Sequence, residues 1–171
     1  MRMVLVTGGA RSGKSKWAQE RAQALGGDHV TVIAAAEPGD SEMEARIAAH
    51  KASRPKAWTT LEAPLGAGSA IATATTDVIV LECLTIVCAN ALTDGPERAE
   101  GELGAILDAA SDREGTLIVV TNEVGLGVVP ATRSGRAFRD ILGTANRRFA
   151  ARAEEVVLMV AGIPLELKSD R

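Results

Sequence analysis

Short apolar runs alternate with stretches of helical periodicity along the chain. Five of these runs are continuous rather than alternating, which indicates strands covered on both faces, as in a parallel sheet. The five predicted strands are residues 3–7, 30–34, 78–81, 117–121 and 156–160. Because helical segments separate them, the pattern predicts an α/β fold with three layers and a mainly parallel central sheet.

Helical patterns fill most of the intervals between the strands. The predicted helices are residues 16–25, 41–52, 97–110 and 131–153, and a small-residue stretch at 66–76 predicts a loop followed by an alanine-rich helix.

Local signals refine the ends of two of these elements. Ser41 followed by Glu44 has the spacing of a capping box, so Ser41 is the predicted cap of the second helix. Pro164 interrupts the apolar tail at residues 162–167, which predicts an edge strand there.

One motif lies between the first predicted strand and the first predicted helix. Residues Gly8 to Ser15 fit the spacing G-x-x-x-x-G-K-[ST] of a phosphate-binding P-loop. Glycines allow the tight turn that directs backbone N–H groups at an anion, and the following helix adds its positive N-terminal pole. Lys14 is predicted to reach the β- and γ-phosphates, and the Ser15 hydroxyl to hold Mg²⁺.

Length, charge and composition narrow the class of protein. The 171 residues suit one domain, 1–171, and a net charge of −3 with 2% aromatic residues argues against nucleic acid as a partner. The two cysteines, Cys83 and Cys88, are too few and wrongly spaced for a zinc site or a disulfide framework, so we interpret them as packing residues. Without an apolar run of membrane-spanning length, we expect a cytoplasmic protein.

Two further segments fall where parallel strands end. Glu82 follows the third strand, at the position where a P-loop fold keeps a second metal-positioning carboxylate, although a solvated glutamate would look the same. Residues 121–127 leave the fourth strand at the same edge, and their two glycines suit a loop that approaches a ligand.

The helix predicted at 41–52 carries unusual chemistry. Arg46 and His50 lie four residues apart and share a face, with Lys51 and Arg54 close by. An imidazole can act as a nucleophile towards phosphorus, but a lone histidine is more often a surface or capping group, and the spacing alone does not decide between the two.

Four blocks together carry a resemblance to a known family. Residues 6–15, 42–58, 81–85 and 120–130, supported by Phe138-Arg139-Asp140, Asn146 and the tail at 162–165, resemble the bifunctional adenosylcobinamide kinase/adenosylcobinamide-phosphate guanylyltransferase family. Members phosphorylate adenosylcobinamide with a nucleoside triphosphate, ATP or GTP, in the presence of Mg²⁺. They then transfer GMP from GTP to adenosylcobinamide phosphate through a histidine-bound GMP.

The resemblance assigns roles to positions of this sequence. It implies that His50 is the guanylylated nucleophile and that the protein is a homotrimer. It further implies that the nucleotide is held by Gly8, Gly9, Ala10, Arg11, Ser12, Gly13, Lys14, Ser15, Ala34, Ala35, Ala36, Lys51, Ala52, Ser53, Arg54, Glu62 and Glu82, whereas the metal roles of Ser15 and Glu82 follow from the P-loop pattern itself. Relatives often have hydroxyl residues where this chain has Ala35-Ala36, so only backbone contacts are expected there.

Two other functions remain open at this point. The chain could be a P-loop kinase of another small alcohol or nucleotide in which His50 is structural. It could also be a nucleotide-dependent switch, which would not form product over many turnovers.

Overall fold

A computed structural model describes residues 1–169. The strands are β1 (Arg2–Gly8), β2 (Val30–Ala34), β3 (Thr59–Glu62), β4 (Val78–Glu82), β5 (Thr116–Val120), β6 (Glu155–Val160) and β7 (Ile163–Lys168). The helices are α1 (Lys14–Gly26), α2 (Ser41–Ala52), α3 (Ala67–Thr73), α4 (Leu84–Leu92), α5 (Pro96–Ser111) and α6 (Arg133–Arg152).

The strands form one seven-stranded sheet in the order β3-β2-β4-β5-β1-β6-β7. All neighbours are parallel except β6 and β7, and β7 is an edge strand as predicted. The predicted α/β fold with a mainly parallel sheet is therefore confirmed. The other edge strand, β3, lacks an apolar run because three of its four residues are exposed, which is why the sequence pattern did not indicate it.

Two apolar clusters cover the two faces of the sheet. Alternate residues of each strand point to opposite faces. Val4 and Val6 pack with Ala18 and Ala22 of α1 on one face. The other face packs against α3, α4, α5 and α6, whose buried contributors include Ile71, Leu84, Leu103, Leu142 and Phe149. The sheet thus forms the middle of three layers.

The N-cap of helix α2 lies one residue earlier than the sequence suggested. Asp40, not Ser41, is the N-cap, and its Oδ1 accepts a hydrogen bond of 2.8 Å from the Met43 N–H. Ser41 is already the first helical residue. Both residue types cap helices well, so spacing to Glu44 alone could not separate them.

Replacing Asp40 with alanine is expected to destabilise the start of α2 by about 1 kcal/mol, because a first-turn N–H loses its acceptor. Hydrogen exchange of the α2 amides would measure the change. Ser41→Ala is the matched control and should leave the exchange rates near those of the unmodified protein. A larger effect from Ser41→Ala would return the cap to Ser41.

Within residues 1–169, none of the helices is both long enough and apolar enough to cross a membrane.

Candidate active site

The phosphate-binding loop runs directly from β1 into α1, as predicted. Gly8 has a φ of 147° and lies so close to β6 that an added Cβ would come within 2.4 Å of the Met159 carbonyl oxygen. Gly13 has a φ of 99°, in the left-handed region that favours glycine. The first-turn N–H groups of α1 have no acceptor within the helix and are directed at this loop. Both glycines are thus required by the local backbone.

Lys14 is buried in the same loop, with 7% of its surface exposed. Its Nζ donates to the Gly9 carbonyl oxygen at 2.6 Å and lies 3.5 Å from Ser12 Oγ. The ammonium group is therefore folded over the loop it serves, within the space that polyphosphate oxygens take in a P-loop.

Strand register places the other predicted site residues in one row at the carboxyl edge of the sheet. Glu62 pairs with Ala34, Ala34 with Glu82, and Glu82 with Val120. Val120 in turn pairs with Val6, two residues before the phosphate-binding loop. With adjacent strands about 4.8 Å apart, Glu82 stands about 10 Å along the row from Val6, within reach of the loop for a glutamate side chain.

Glu82 connects three side chains from different elements. Its Oε1 lies within hydrogen-bonding distance of His50 Nδ1, at 3.1 Å, and its Oε2 accepts from Arg54 at 2.8 Å. Ser15, the last residue of the P-loop motif, also hydrogen-bonds to this carboxylate. Burial alone would raise the pKa of Glu82, but the hydrogen bonds from His50, Arg54 and Ser15 lower it to about 2. Glu82 is therefore an ionised acceptor at neutral pH.

The contact between His50 and Glu82 was not predicted. Sequence spacing placed His50 among Lys51 and Arg54, whereas its hydrogen-bonding partner lies 32 residues further along the chain. The sequence did indicate one half of this contact, because it placed Glu82 at the end of a strand. Only the fold shows that α2 reaches this carboxylate.

A buried hydrogen-bond network fixes the loop that follows β5. Thr121 Oγ1 donates to Asn146 Oδ1 at 2.7 Å, and Asn146 Nδ2 donates to the Asn122 carbonyl oxygen at 3.0 Å. The Asn122 N–H donates to Thr85 Oγ1 at 2.8 Å. The next residue, Glu123, donates its N–H to the Gly8 carbonyl oxygen at 3.1 Å. The loop after β5 is thereby attached to the start of the P-loop, in agreement with its predicted position at the same edge of the sheet.

A cavity of about 760 Å³ lies between α1 and α2. Ser15 and His50 both line it, together with Gln19, Gln23 and Trp58. Trp58 is buried, and its indole N–H donates to the Gly27 carbonyl oxygen at 2.9 Å, which holds the chain after α2 against the end of α1. The candidate nucleophile and the P-loop serine thus face one common space.

The other predicted nucleotide-binding positions differ in what they can offer. Lys51 and Glu62 form an exposed ion pair, and the hydrogen bond from Lys51 lowers the pKa of Glu62. The Ser53 hydroxyl donates to the His50 carbonyl oxygen at 3.0 Å, at the end of α2 next to Ala52.

The alanines after β2 are only partly available as backbone ligands. Ala35 is fully buried, its N–H donates to the Glu82 carbonyl oxygen and its own carbonyl oxygen accepts from Asn90. Ala34 is also buried, whereas Ala36 is partly exposed. We therefore expect Ala36, rather than Ala35, to supply any backbone contact to a nucleotide.

Most arginines of α6 are paired with protein groups. Arg148 pairs with Glu100, Arg152 with Glu154 and Arg139 with Asp140. Arg139 and Arg147 also line a second cavity of about 410 Å³ beside Gly125. The cysteines are free thiols: Cys88 is buried in the core, where burial raises its pKa to about 12, as suits a packing residue.

The residues at the P-loop fit a magnesium ion that is carried by a nucleotide. Among residues 1–169 no group of three or more His, Cys, Asp or Glu side chains could hold a metal by itself. Magnesium in phosphate-transfer sites is bound instead by one or two protein oxygens together with phosphates and water. The Ser15 hydroxyl and the Glu82 carboxylate, which hydrogen-bond to each other, provide such oxygens.

The sheet, the phosphate-binding loop and the strand-end carboxylate define a P-loop nucleotide-binding protein. Solved structures with the same fold include a type III secretion system ATPase (TM-score 0.56, 12% identity, 92% of this chain and 51% of that one). A KaiC-like protein from Pyrococcus horikoshii has a TM-score of 0.52 at 12% identity, over 92% of this chain and 70% of that one. The P4 protein of bacteriophage phi6, solved with ADP, has a TM-score of 0.51 at 12% identity, covering 95% and 52%.

Sequence comparison gives the family within that class. A family model described as cobinamide kinase / cobinamide phosphate guanyltransferase matches residues 4–167, and the chain belongs to this family. It is 42% identical to the bifunctional adenosylcobalamin biosynthesis protein CobP of Pseudomonas aeruginosa, over 97% of both chains. It is 41% identical to the protein CobU of Salmonella typhimurium, over 97% of this chain and 99% of that one. The predicted family and its pair of transferase activities are confirmed.

Proposed function

We propose that the chain, acting as one catalytic domain, carries out both reactions of its family at a single nucleotide site, with His50 as the covalent carrier of GMP. The observation that carries the proposal is the contact of His50 and Ser15 with one carboxylate, Glu82, and their shared cavity. A histidine with only a structural role would have no reason to share a carboxylate and a cavity with the last residue of the P-loop motif.

The first reaction is phosphoryl transfer. The hydroxyl oxygen of adenosylcobinamide forms a bond to the γ-phosphorus and loses its proton to solvent, the bond from that phosphorus to the β,γ-bridging oxygen breaks, and the nucleoside diphosphate leaves with the electron pair. Such transfers depend mainly on alignment and on neutralising phosphate charge. The loop at Gly8 to Ser15 and the ammonium group of Lys14 supply both. A bound Mg²⁺ would neutralise further charge, next to Ser15 and Glu82.

The second reaction is GMP transfer. An imidazole nitrogen of His50 forms a bond to the α-phosphorus of GTP, and pyrophosphate leaves. A phosphate oxygen of adenosylcobinamide phosphate then attacks the same phosphorus, and the electron pair of the P–N bond returns to the imidazole. The histidine intermediate divides the transfer into two displacements. Adenosylcobinamide phosphate therefore does not have to attack GTP directly, which would be a reaction between two anions.

The C-terminal part of α2 and the sheet edge form the proposed guanosine-binding region. Lys51–Arg54 follow His50 along the chain, and Glu82 lies 3.1 Å from its ring. Glu62 lies in the same row of the sheet edge as Glu82, and Ala36 follows that row by two residues. Carboxylates and backbone groups in this region could recognise GTP by accepting hydrogen bonds from its guanine base. The first reaction could use either ATP or GTP, because the loop binds only the phosphates.

We further propose that the protein assembles as a homotrimer. The edge strand β7 supports an interface between subunits, because Ile163, Leu165 and Leu167 each expose more than half of their surface. An uncovered edge strand with apolar side chains is normally avoided in a monomer.

Labelling tests the covalent step directly. Protein incubated with Mg²⁺ and GTP labelled at the α-phosphate should retain label that is acid-labile and alkali-stable, as expected for a phosphoramidate. GTP labelled at the γ-phosphate should leave no label, because that phosphate departs with pyrophosphate. The label should be absent from His50→Ala and unchanged in His29→Ala, whose histidine lies on the exposed surface.

A wild-type protein that takes up no α-label, yet phosphorylates adenosylcobinamide, would contradict the proposed carrier role of His50. It would favour a P-loop kinase in which His50 is structural.

A further inference from the structure

The two ring nitrogens of His50 are not equivalent in this structure. Nδ1 lies 3.1 Å from Glu82 Oε1, and 32% of the His50 side chain is exposed. The Glu82 side chain is only 10% exposed, and its other oxygen is occupied by Arg54, which is 7% exposed. The carboxylate is therefore held from one side by a buried guanidinium and presents Oε1 to the imidazole.

This contact decides which nitrogen carries the hydrogen. Glu82 Oε2 accepts from the buried guanidinium of Arg54, and a carboxylate paired in this way accepts through its other oxygen too, so the hydrogen between Nδ1 and Oε1 belongs to Nδ1. In a neutral imidazole the lone pair is then on Nε2. Histidine ligands and catalytic histidines are commonly fixed in one tautomer by such a carboxylate.

We propose that Glu82 is the positioning residue of the guanylyl transfer, and that it makes Nε2 of His50 the atom that attacks the α-phosphorus and carries GMP. This inference rests on the proposed function, since it assigns the atom and the orienting partner of that covalent step. Nothing in the family description or the names of the relatives assigns either.

The covalent step needs only His50, GTP and the Glu82 carboxylate. Nε2 forms a bond to the α-phosphorus, the bond to the α,β-bridging oxygen breaks, and pyrophosphate takes the electron pair. The ring becomes positively charged, and its Nδ1 hydrogen stays against the Glu82 carboxylate, which compensates that charge. In the second displacement the P–Nε2 bond breaks and its electron pair returns to Nε2, so the ring is neutral again.

Glu82 then takes part in both reactions through different partners. Ser15 connects it to the phosphate-binding loop, and His50 connects it to the covalent step. A loss of rate on mutating Glu82 therefore does not by itself identify its effect on His50. The position of the GMP on the ring does identify this effect. A role of Glu82 towards the metal or the loop would not move the phosphorus from one ring nitrogen to the other.

The experiment determines which ring nitrogen is guanylylated in the full-length wild-type protein. After labelling with GTP at the α-phosphate, periodate oxidation and β-elimination remove the nucleoside and leave phosphohistidine. Alkaline hydrolysis and chromatography against the two synthetic phosphohistidine isomers then identify the nitrogen. We expect the Nε2 isomer. The Nδ1 isomer would overturn the role of Glu82 and leave the proposed function intact, whereas a complete absence of label would overturn the proposed function itself.

Two variants test Glu82 as the cause. Glu82→Gln keeps an oxygen that can accept from Nδ1, so the label should stay on Nε2. Glu82→Met removes the acceptor at similar size, and the initial rate of labelling should fall about 100-fold, with label divided between the two nitrogens. A Glu82→Met protein labelled on Nε2 alone, within about threefold of the wild-type rate, would overturn the inference. His29→Ala serves as the matched histidine control.

Discussion

His50→Ala should abolish GMP transfer and leave phosphorylation of adenosylcobinamide within a few-fold of wild type. The expected loss in GMP transfer is about 10⁴-fold or more, because removing a covalent nucleophile eliminates the pathway rather than weakening one contact. Phosphorylation is spared because the loop, Lys14 and Ser15 remain, and Glu82 keeps its hydrogen bonds from Arg54 and Ser15 when the imidazole is removed.

The two reactions have to be assayed separately to see this division. Transfer of labelled γ-phosphate to adenosylcobinamide measures the first, and release of pyrophosphate with purified adenosylcobinamide phosphate and GTP measures the second. His29→Ala should lower neither rate. Equal losses in both assays for His50→Ala would mean that the histidine supports the fold of the nucleotide site instead of carrying GMP.

Lys14→Met should reduce both reactions by at least about 10²–10³-fold. Lys14 is buried in the phosphate-binding loop, and in the proposed function its ammonium group neutralises charge on the phosphates that either reaction must bind. Methionine keeps the length of the side chain and removes the charge, so the change tests electrostatics more than packing.

Lys56→Met provides the matched control, since Lys56 is exposed and lies outside the site. Steady-state kinetics of both reactions measure the effect. A Lys14→Met protein that still transfers GMP at the wild-type rate would show that GTP binds elsewhere for the second reaction, contrary to a single nucleotide site.

The parts predicted from the sequence are those determined by local chemistry. Residues 8–15 form the expected strand-loop-helix unit because their glycines and the following helix act over a few positions. Buried parallel strands were recognisable because continuous apolar runs have few other uses in a protein of this size. Helix α4 was not predicted, since it is apolar on most sides and lacks the periodicity that marks a surface helix.

The site itself was predicted as a list of residues and not as an arrangement. Local spacing identified His50 and Glu82 separately, but their hydrogen bond depends on where α2 lies over the sheet. The same limit applies at Ala35, where the sequence allowed a backbone contact to the nucleotide. Its N–H is already used by Glu82 of the adjacent strand, and such pairing is visible only once strand order is known.

Helix α2 brings His50, Lys51 and the start of the turn to Arg54, yet no residue of it whose burial is described is buried. In the proposed function, GMP transfer is therefore carried out from a helix that contributes no residue of described burial to the interior. A P-loop kinase of this fold could therefore gain or lose the histidine by substitution on one surface helix, while Glu82 and the core stay unchanged. The same separation makes α2 the natural place to graft a different nucleophile.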